Sequence, residues 1–118
     1  MYEIAVERAF WAAHAVTMAG VREEPHRHNW QVRVVVGGDR LDREGLLCDF
    51  HAIEAELERV IGELDDADLN RSRALGGRNP TAERVARHIA DTIRLPAPVH
   101  LLAVSVTESP GCVATYRP

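Results

Sequence analysis

In the segment 2–16, Val6, Phe10, Ala12 and His14 share one parity, while Ala9, Trp11 and Ala13 share the other. Alternation of this kind predicts a strand, because successive strand side chains leave opposite faces of a sheet. The stretch Thr17 to Pro25 is polar and broken by Gly and Pro, and is expected to be a loop. A second strand is predicted from His26 to Val36, where Val32, Val34, Val35 and Val36 supply β-branched side chains. Gly37-Gly38-Asp39 then carries a turn signal.

The period changes after Asp49. Phe50, Ile53, Leu57, Val60, Ile61 and Leu64 recur at helical spacing, with Glu54, Glu56, Glu58 and Arg59 on the remaining surface. Asp49 stands where an N-cap acceptor belongs. A loop through Leu69-Asn70 and Gly76-Gly77 leads to Asn79-Pro80, a cap followed by a first-turn proline. Val85, Ala86, Ile89 and Ile93 form the apolar stripe of a second helix, which Pro96 and Pro98 end. Strands are expected at Val99–Ser109 and Cys112–Arg117, joined by a turn at Pro110-Gly111. Strand, strand, helix, helix, strand, strand makes an α+β fold: one antiparallel sheet of four strands with both helices on one face. Such a sheet keeps two open edges, which association of subunits would pair.

Composition narrows the function without naming it. The 118 residues form a single domain, 1–118, with 46% hydrophobic and 27% charged residues, an ordinary globular balance. No apolar run reaches the ~20 residues of a membrane span. The start MYEIAVERAF is acidic where a secretory signal is basic, so a cytoplasmic protein is expected. Two cysteines cannot make a disulfide framework. A net charge of −4 argues against nucleic acid as partner, and all fourteen basic residues are arginine.

The sharpest chemistry is His26-Arg27-His28. Residues two apart on a strand share a face, so both imidazoles can converge on one ion. His14, near the end of the neighbouring predicted strand, has the parity of that strand's apolar side chains. Three histidines on adjacent strands describe a three-histidine zinc site with an open position, the catalytic kind. His51, His88 and His100 lack partners in the sequence and are expected to be solvated.

Phe10-Trp11-Ala12-Ala13-His14 and His26-Arg27-His28-Asn29-Trp30 resemble the F-x-A-A-H and H-G-H-N-Y/F signature of the 6-pyruvoyl- and 6-carboxytetrahydropterin synthase family. Gly45-Leu46-Leu47-Cys48-Asp49-Phe50 resembles G-M-V-x-D-F, and Leu64 to Asn70 resembles L-D-H-x-x-L-N. Asn79-Pro80-Thr81-Ala82-Glu83 matches N-P-T-x-E, and Val106-Thr107-Glu108 resembles the V-x-E-T strand, with Thr and Glu in the other order. The resemblance implies a tunnelling fold whose sheets assemble into an oligomeric barrel, a trimer or hexamer with pterin sites between subunits. It implies zinc on His14, His26 and His28, a pterin anchored by Glu108, and substrate contacts from Thr107 and Thr81. The implied function is a zinc-dependent lyase acting on a dihydropterin side chain, with a substrate like dihydroneopterin triphosphate.

Three departures alter that expectation. The family's cysteine in the loop before the histidine pair is absent from Val21-Arg22-Glu23-Glu24-Pro25; its relay histidine is replaced by Asp66; and the glycine of H-G-H is Arg27. Glu23, placed as E-x-x-H before His26, resembles a branch of the family in which glutamate replaces cysteine and the product is 6-hydroxymethyl-dihydropterin. Glu23 is therefore the expected base, with Asp65 and Asp66 as a second carboxylate pair. Cys48 reads as a small core residue, and Cys112 has no assigned role. The rival expectation is a zinc- and pterin-binding protein without turnover.

Overall fold

The computed structural model describes residues 1–118. Its elements are β1 (Tyr2–His14), β2 (Thr17–Met18), β3 (Val21–Arg22), β4 (His26–Gly38), α1 (Phe50–Gly62), β5 (Ala67–Asp68), a 3₁₀ turn (Arg73–Leu75), α2 (Ala82–Thr92), β6 (His100–Ser109) and β7 (Cys112–Tyr116). The main sheet runs β5-β1-β4-β6-β7, and β1, β4, β6 and β7 pair antiparallel. This is the expected α+β arrangement, with α1 packed on β1 and α2 on β6 and β7.

The alternation in β1 and β4 has the consequence that parity demands. Val6, Phe10, Ala12 and His14 are buried, as are Trp30, Val32, Val34 and Val36, and all belong to the face under the helices. Trp30 stacks on Phe10 with ring centroids 5.8 Å apart and donates its indole N–H to the Ala12 carbonyl at 3.2 Å. That bond leaves no polar atom of the buried ring without a partner. The helices close this face with Ile53, Leu57, Val60 and Ile61 from α1 and Val85, Ala86 and Ile89 from α2. Each aliphatic side chain buried this way stabilises by about 1.5–3 kcal/mol. Asp49 caps α1 as expected, its Oδ1 accepting the His51 N–H at 2.9 Å.

Four sequence expectations are corrected. The sheet has five strands rather than four, because β5 adds in parallel to β1 through Ala12–Ala67 and Ala13–Asp68. Two residues show no period, so the pattern could not reveal them. The loop expected at 17–25 contains the β2–β3 hairpin, turned by Ala19 and Gly20, both at positive φ (50° and 78°). Gly37 and Gly38 do not turn the chain but continue β4. A Cβ on Gly37 would lie 2.6 Å from the Leu102 side chain, and one on Gly38 2.9 Å from that of Leu47. These glycines are places of close packing, not of bending. Finally, the cap of α2 is Thr81 rather than Asn79: its hydroxyl accepts the Arg84 N–H at 3.2 Å.

Candidate metal centre

The register of β1 on β4 sets His14 opposite His26 and Ala12 opposite His28. All three histidines leave the helix-covered face at one end of the sheet, with centroids 4.5 Å apart for His14–His26 and 4.4 Å for His26–His28. From β6, Glu108 enters the same space. Its Oε1 lies 2.8 Å from His14 Nε2, 3.5 Å from His26 Nε2 and 3.4 Å from His28 Nε2. One ligand atom from each of these four residues falls within 4.8 Å of the others. The apolar stripe of the covered face thus ends in three imidazoles and a carboxylate.

Hydrogen bonds to the far side of two rings fix what the near side can do. His14 Nδ1 is 2.8 Å from the Pro80 carbonyl, and His26 Nδ1 is 3.1 Å from the Glu24 carbonyl. A carbonyl only accepts, so each Nδ1 carries a proton, and a ring protonated there alone presents an Nε2 lone pair. His14 is completely buried. A lone pair facing a carboxylate oxygen at 2.8 Å repels it unless a cation stands between them or the ring is doubly protonated. Burial, then the neighbouring His26, pushes the His28 imidazolium below its ordinary value, which favours the neutral, ligating ring. Nitrogen donors oriented by backbone carbonyls are the arrangement of a metal-ligating histidine set. The donor set fits a divalent metal ion of imidazole preference.

Glu23 joins this group by way of the hairpin. Its Oε1 lies 3.6 Å from His26 Nε2 and accepts the Val16 N–H at 2.9 Å, while its own N–H goes to the Val16 carbonyl at 3.0 Å. The β2–β3 hairpin therefore closes on itself and delivers Glu23 to the histidines. Two asparagines hold its base. Asn70 takes the Ala15 N–H at 2.8 Å and donates to its carbonyl at 2.9 Å; Asn79 does the same for Thr17, at 2.9 Å each. The sequence placed both asparagines in motifs, gave Asn70 no role and expected Asn79 to cap α2. Their side-chain amides mimic a neighbouring strand, a role visible only once residues 15–17 lie beside them.

The remaining expected residues are spread more widely. Thr81 follows Pro80, whose carbonyl orients His14, and its hydroxyl oxygen serves as the α2 cap. Thr107 pairs with Gln31 and, by parity, leaves the opposite face from Glu108. It borders a groove of about 350 Å³ that also touches His28, Asn29, Glu108 and Ser109. Asp65 and Asp66 are not brought to the histidines of their own chain. Asp65 Oδ1 accepts the Trp11 N–H at 2.9 Å, along the edge where β5 joins β1. Asp66 pairs with Arg27 at 2.8 Å on the uncovered face, where the Arg27 guanidinium also lies 5.0 Å from the Trp11 ring centre. Cys48 is half-buried against the core, and burial pushes its thiol up; Cys112 is exposed on β7. Neither is in the hairpin that carries Glu23.

Known proteins resemble this chain in sequence and in fold. The chain is 36% identical over 102 residues to a dihydroneopterin monophosphate aldolase of Pyrococcus furiosus, covering 85% of this chain and 83% of that one. It is 29% identical to the 6-carboxy-5,6,7,8-tetrahydropterin synthase of Bacillus subtilis, over 99% of this chain and 86% of that one. Among solved structures, the 6-pyruvoyl tetrahydropterin synthase of Caenorhabditis elegans superposes with a TM-score of 0.79 at 21% identity, covering 100% of this chain and 97% of that one. The Plasmodium vivax 6-pyruvoyl tetrahydropterin synthase superposes with a TM-score of 0.80 at 20% identity, over 99% and 97%. The fold is therefore the tunnelling fold of these enzymes. A sequence model described as 6-pyruvoyl tetrahydropterin synthase matches residues 3–118, and the chain belongs to that family.

Proposed function

We propose that this protein is a zinc-dependent lyase that cleaves the side chain of a phosphorylated dihydroneopterin between its first and second carbons, releasing 6-hydroxymethyl-dihydropterin. The observation that carries the reading is Glu23: a carboxylate, not a thiol, stands 3.6 Å from His26 Nε2 at the mouth of the histidine cluster. The similarity to an aldolase over 85% of the chain supports the same reaction class. His14, His26 and His28 would hold the zinc, which supplies Lewis-acid polarisation of the side-chain hydroxyls.

The rest of the chemistry falls to the chain itself. Glu23 takes the proton of the second-carbon hydroxyl as general base. That carbon becomes an aldehyde, the bond to the first carbon breaks, and the bonding electrons pass into the conjugated C=N of the pterin ring. The protonated Glu23 then returns the proton to the first carbon, so no oxidant or further reactant is needed. Glu108, whose Oε1 faces the histidines, would accept an N–H bond of the pterin ring through its other carboxylate oxygen, a charged contact of the strong kind. It borders both the groove beside His28 and a second groove of about 370 Å³ lined by Ala82, Glu83 and Cys112. Both grooves are open in one chain, and β5 and β7 leave free edges. A homo-oligomer, trimer or hexamer, would close them, and Asp65 and Asp66 could reach a site only from such a neighbouring copy.

Turnover of dihydroneopterin phosphates, with products identified by mass spectrometry, tests the reading. Glu23→Gln should lower the rate ~10²–10⁴-fold with zinc content unchanged. Glu108→Gln should weaken neopterin binding by ~1.5–3 kcal/mol. A 6-pyruvoyl or 6-carboxy product, or an active Glu23→Gln beside an inactive Glu24→Gln, would sink the assignment. Zinc content unchanged in His28→Ala would remove His28 from the metal site.

A further inference from the structure

Away from the histidines, α2 turns a second charged surface toward the 3₁₀ turn. Arg84, Arg87, His88 and Asp91 recur at spacings of three and four along α2, so they share one side of the helix. With Arg78 and Leu75 from the preceding segment they line a cavity of about 230 Å³. The turn that brings Arg78 there needs Gly76 and Gly77, both at positive φ (60° and 72°). That volume lies below the ~300 Å³ at which pockets for drug-sized ligands begin. None of these residues belongs to the metal centre or to its grooves.

The guanidinium groups are only partly used inside the chain. Arg78 donates its Nε to the Leu75 carbonyl at 3.1 Å, which orients the group and leaves its terminal nitrogens free. Arg87 spends its Nε on Asp91 at 3.0 Å and packs its planar carbon 4.7 Å from the Tyr116 ring centre. Arg84, exposed, gives only its backbone N–H, to the cap Thr81. His88, expected to be solvated, is instead half-buried, and its Nε2 is enclosed without a hydrogen-bond partner. Three arginines and one aspartate line the cavity, and Glu63 acts on His88 from the end of α1, so the surroundings keep a positive excess of one in a chain whose net charge is −4. Like charges gathered in a concave site ask for a multiply charged anion, and terminal guanidinium nitrogens match phosphate oxygens in pairs.

We propose that this cavity is a binding site for a small phosphate dianion, either inorganic phosphate or the terminal phosphate of a small ester. A phosphate group carries about −1.5 to −2 charges at neutral pH, opposite in sign to the cavity's excess. Calorimetric titration of the zinc-loaded protein with sodium phosphate, at fixed ionic strength and with chloride as control, tests the site. One saturable phosphate per chain is expected, and Arg78→Gln with Arg84→Gln should weaken it at least tenfold. Methyl phosphate in a second arm distinguishes the sources: binding as tight as phosphate points to an ester, and weaker binding to the free ion. Absence of a saturable signal, or wild-type affinity in the double variant, overturns the proposal. Should the double variant not fold, Arg84→Gln alone is to weaken binding at least threefold, and unchanged affinity there overturns the proposal equally. Phosphate binding is expected to persist in His28→Ala, which separates this site from the metal reading; its disappearance there would assign the anion to the metal centre instead.

Discussion

The two faces of the sheet use similar residues for opposite ends. On β4, His26 and His28 point under the helices, while Arg27 between them points away and meets Asp66 and Trp11. On β1, Phe10, Ala12 and His14 are buried; on the other face Glu7 approaches Arg33 at 3.4 Å. Across β6 and β7, the hydroxyls of Ser105 and Thr115 meet at 2.8 Å on that uncovered face. Charges there are paired in water, where each pair contributes little. The imidazoles of the covered face stand against Trp30, with the His14 and Trp30 rings 4.8 Å apart. Hydration cannot satisfy the nitrogens of the fully buried His14, so its orientation by the Pro80 carbonyl becomes decisive there. Chemistry follows shielding from solvent more than residue type.

If that contrast holds, substitutions on the covered face should cost far more than those opposite. Trp30→Ala removes the stacked ring that supports both Phe10 and His14. It should destabilise by ~3–5 kcal/mol in denaturant unfolding and lower zinc retention. A loss below ~1 kcal/mol would show that the face is not packed as described. Asn79→Ala frees both backbone groups of Thr17 and should cost ~1–3 kcal/mol. Because the hairpin carries Glu23, turnover should fall while the histidines still hold metal; equal losses of both would place the defect elsewhere.

The cover itself is tied by charge, which gives a test in pH. Glu56 on α1 takes two bonds from Arg59, at 2.9 and 3.0 Å, and the Arg94 N–H at 2.7 Å, while Arg59 also reaches the Thr92 carbonyl at 3.1 Å. The Arg59 hydrogen bonds foremost, followed by that of the Arg94 N–H, hold the Glu56 carboxyl at about 2, below its ordinary 4.5. A carboxyl depressed in the folded state stabilises fully above its unfolded value and loses that contribution as pH falls from about 4.5 through about 2. With screening by solvent the contribution is ~1 kcal/mol. Glu56→Gln should flatten acid unfolding in that window; an unchanged slope would deny the tie. The smallest effect belongs to the uncovered face. Arg27→Ala removes one ion pair and one cation–π contact and should cost ~0.5–1 kcal/mol, with zinc content unchanged. A larger loss, or loss of zinc, would erase the distinction between the faces.

Much of this molecule was legible before any coordinates. Alternation in residues 2–16 and 26–36 and the helical stripes from Phe50 and Val85 determined the strands, the helices and most of the buried side chains, although Phe50 itself, at the first turn of α1, is exposed. The same parity argument grouped His14 with His26 and His28, because a strand allows only two directions for a side chain. Tertiary structure alone decided what joins them. β5, too short to show a period, exists because residues 65–69 return along β1. Glu108 reaches the histidines only through the pairing of β6 with β4, about eighty residues from His26–His28 in sequence. Pro80 acts through a backbone carbonyl, which every residue has; Asn70 and Asn79 stand in motifs, but which backbone groups their side-chain amides meet is set only by the fold. Thr81 rather than Asn79 capped α2 because the asparagine amide was already engaged with Thr17, an interaction between residues 62 positions apart. Periodicity records which way a side chain faces; which distant group it meets is fixed by strand pairing and chain return, and those leave no local signature.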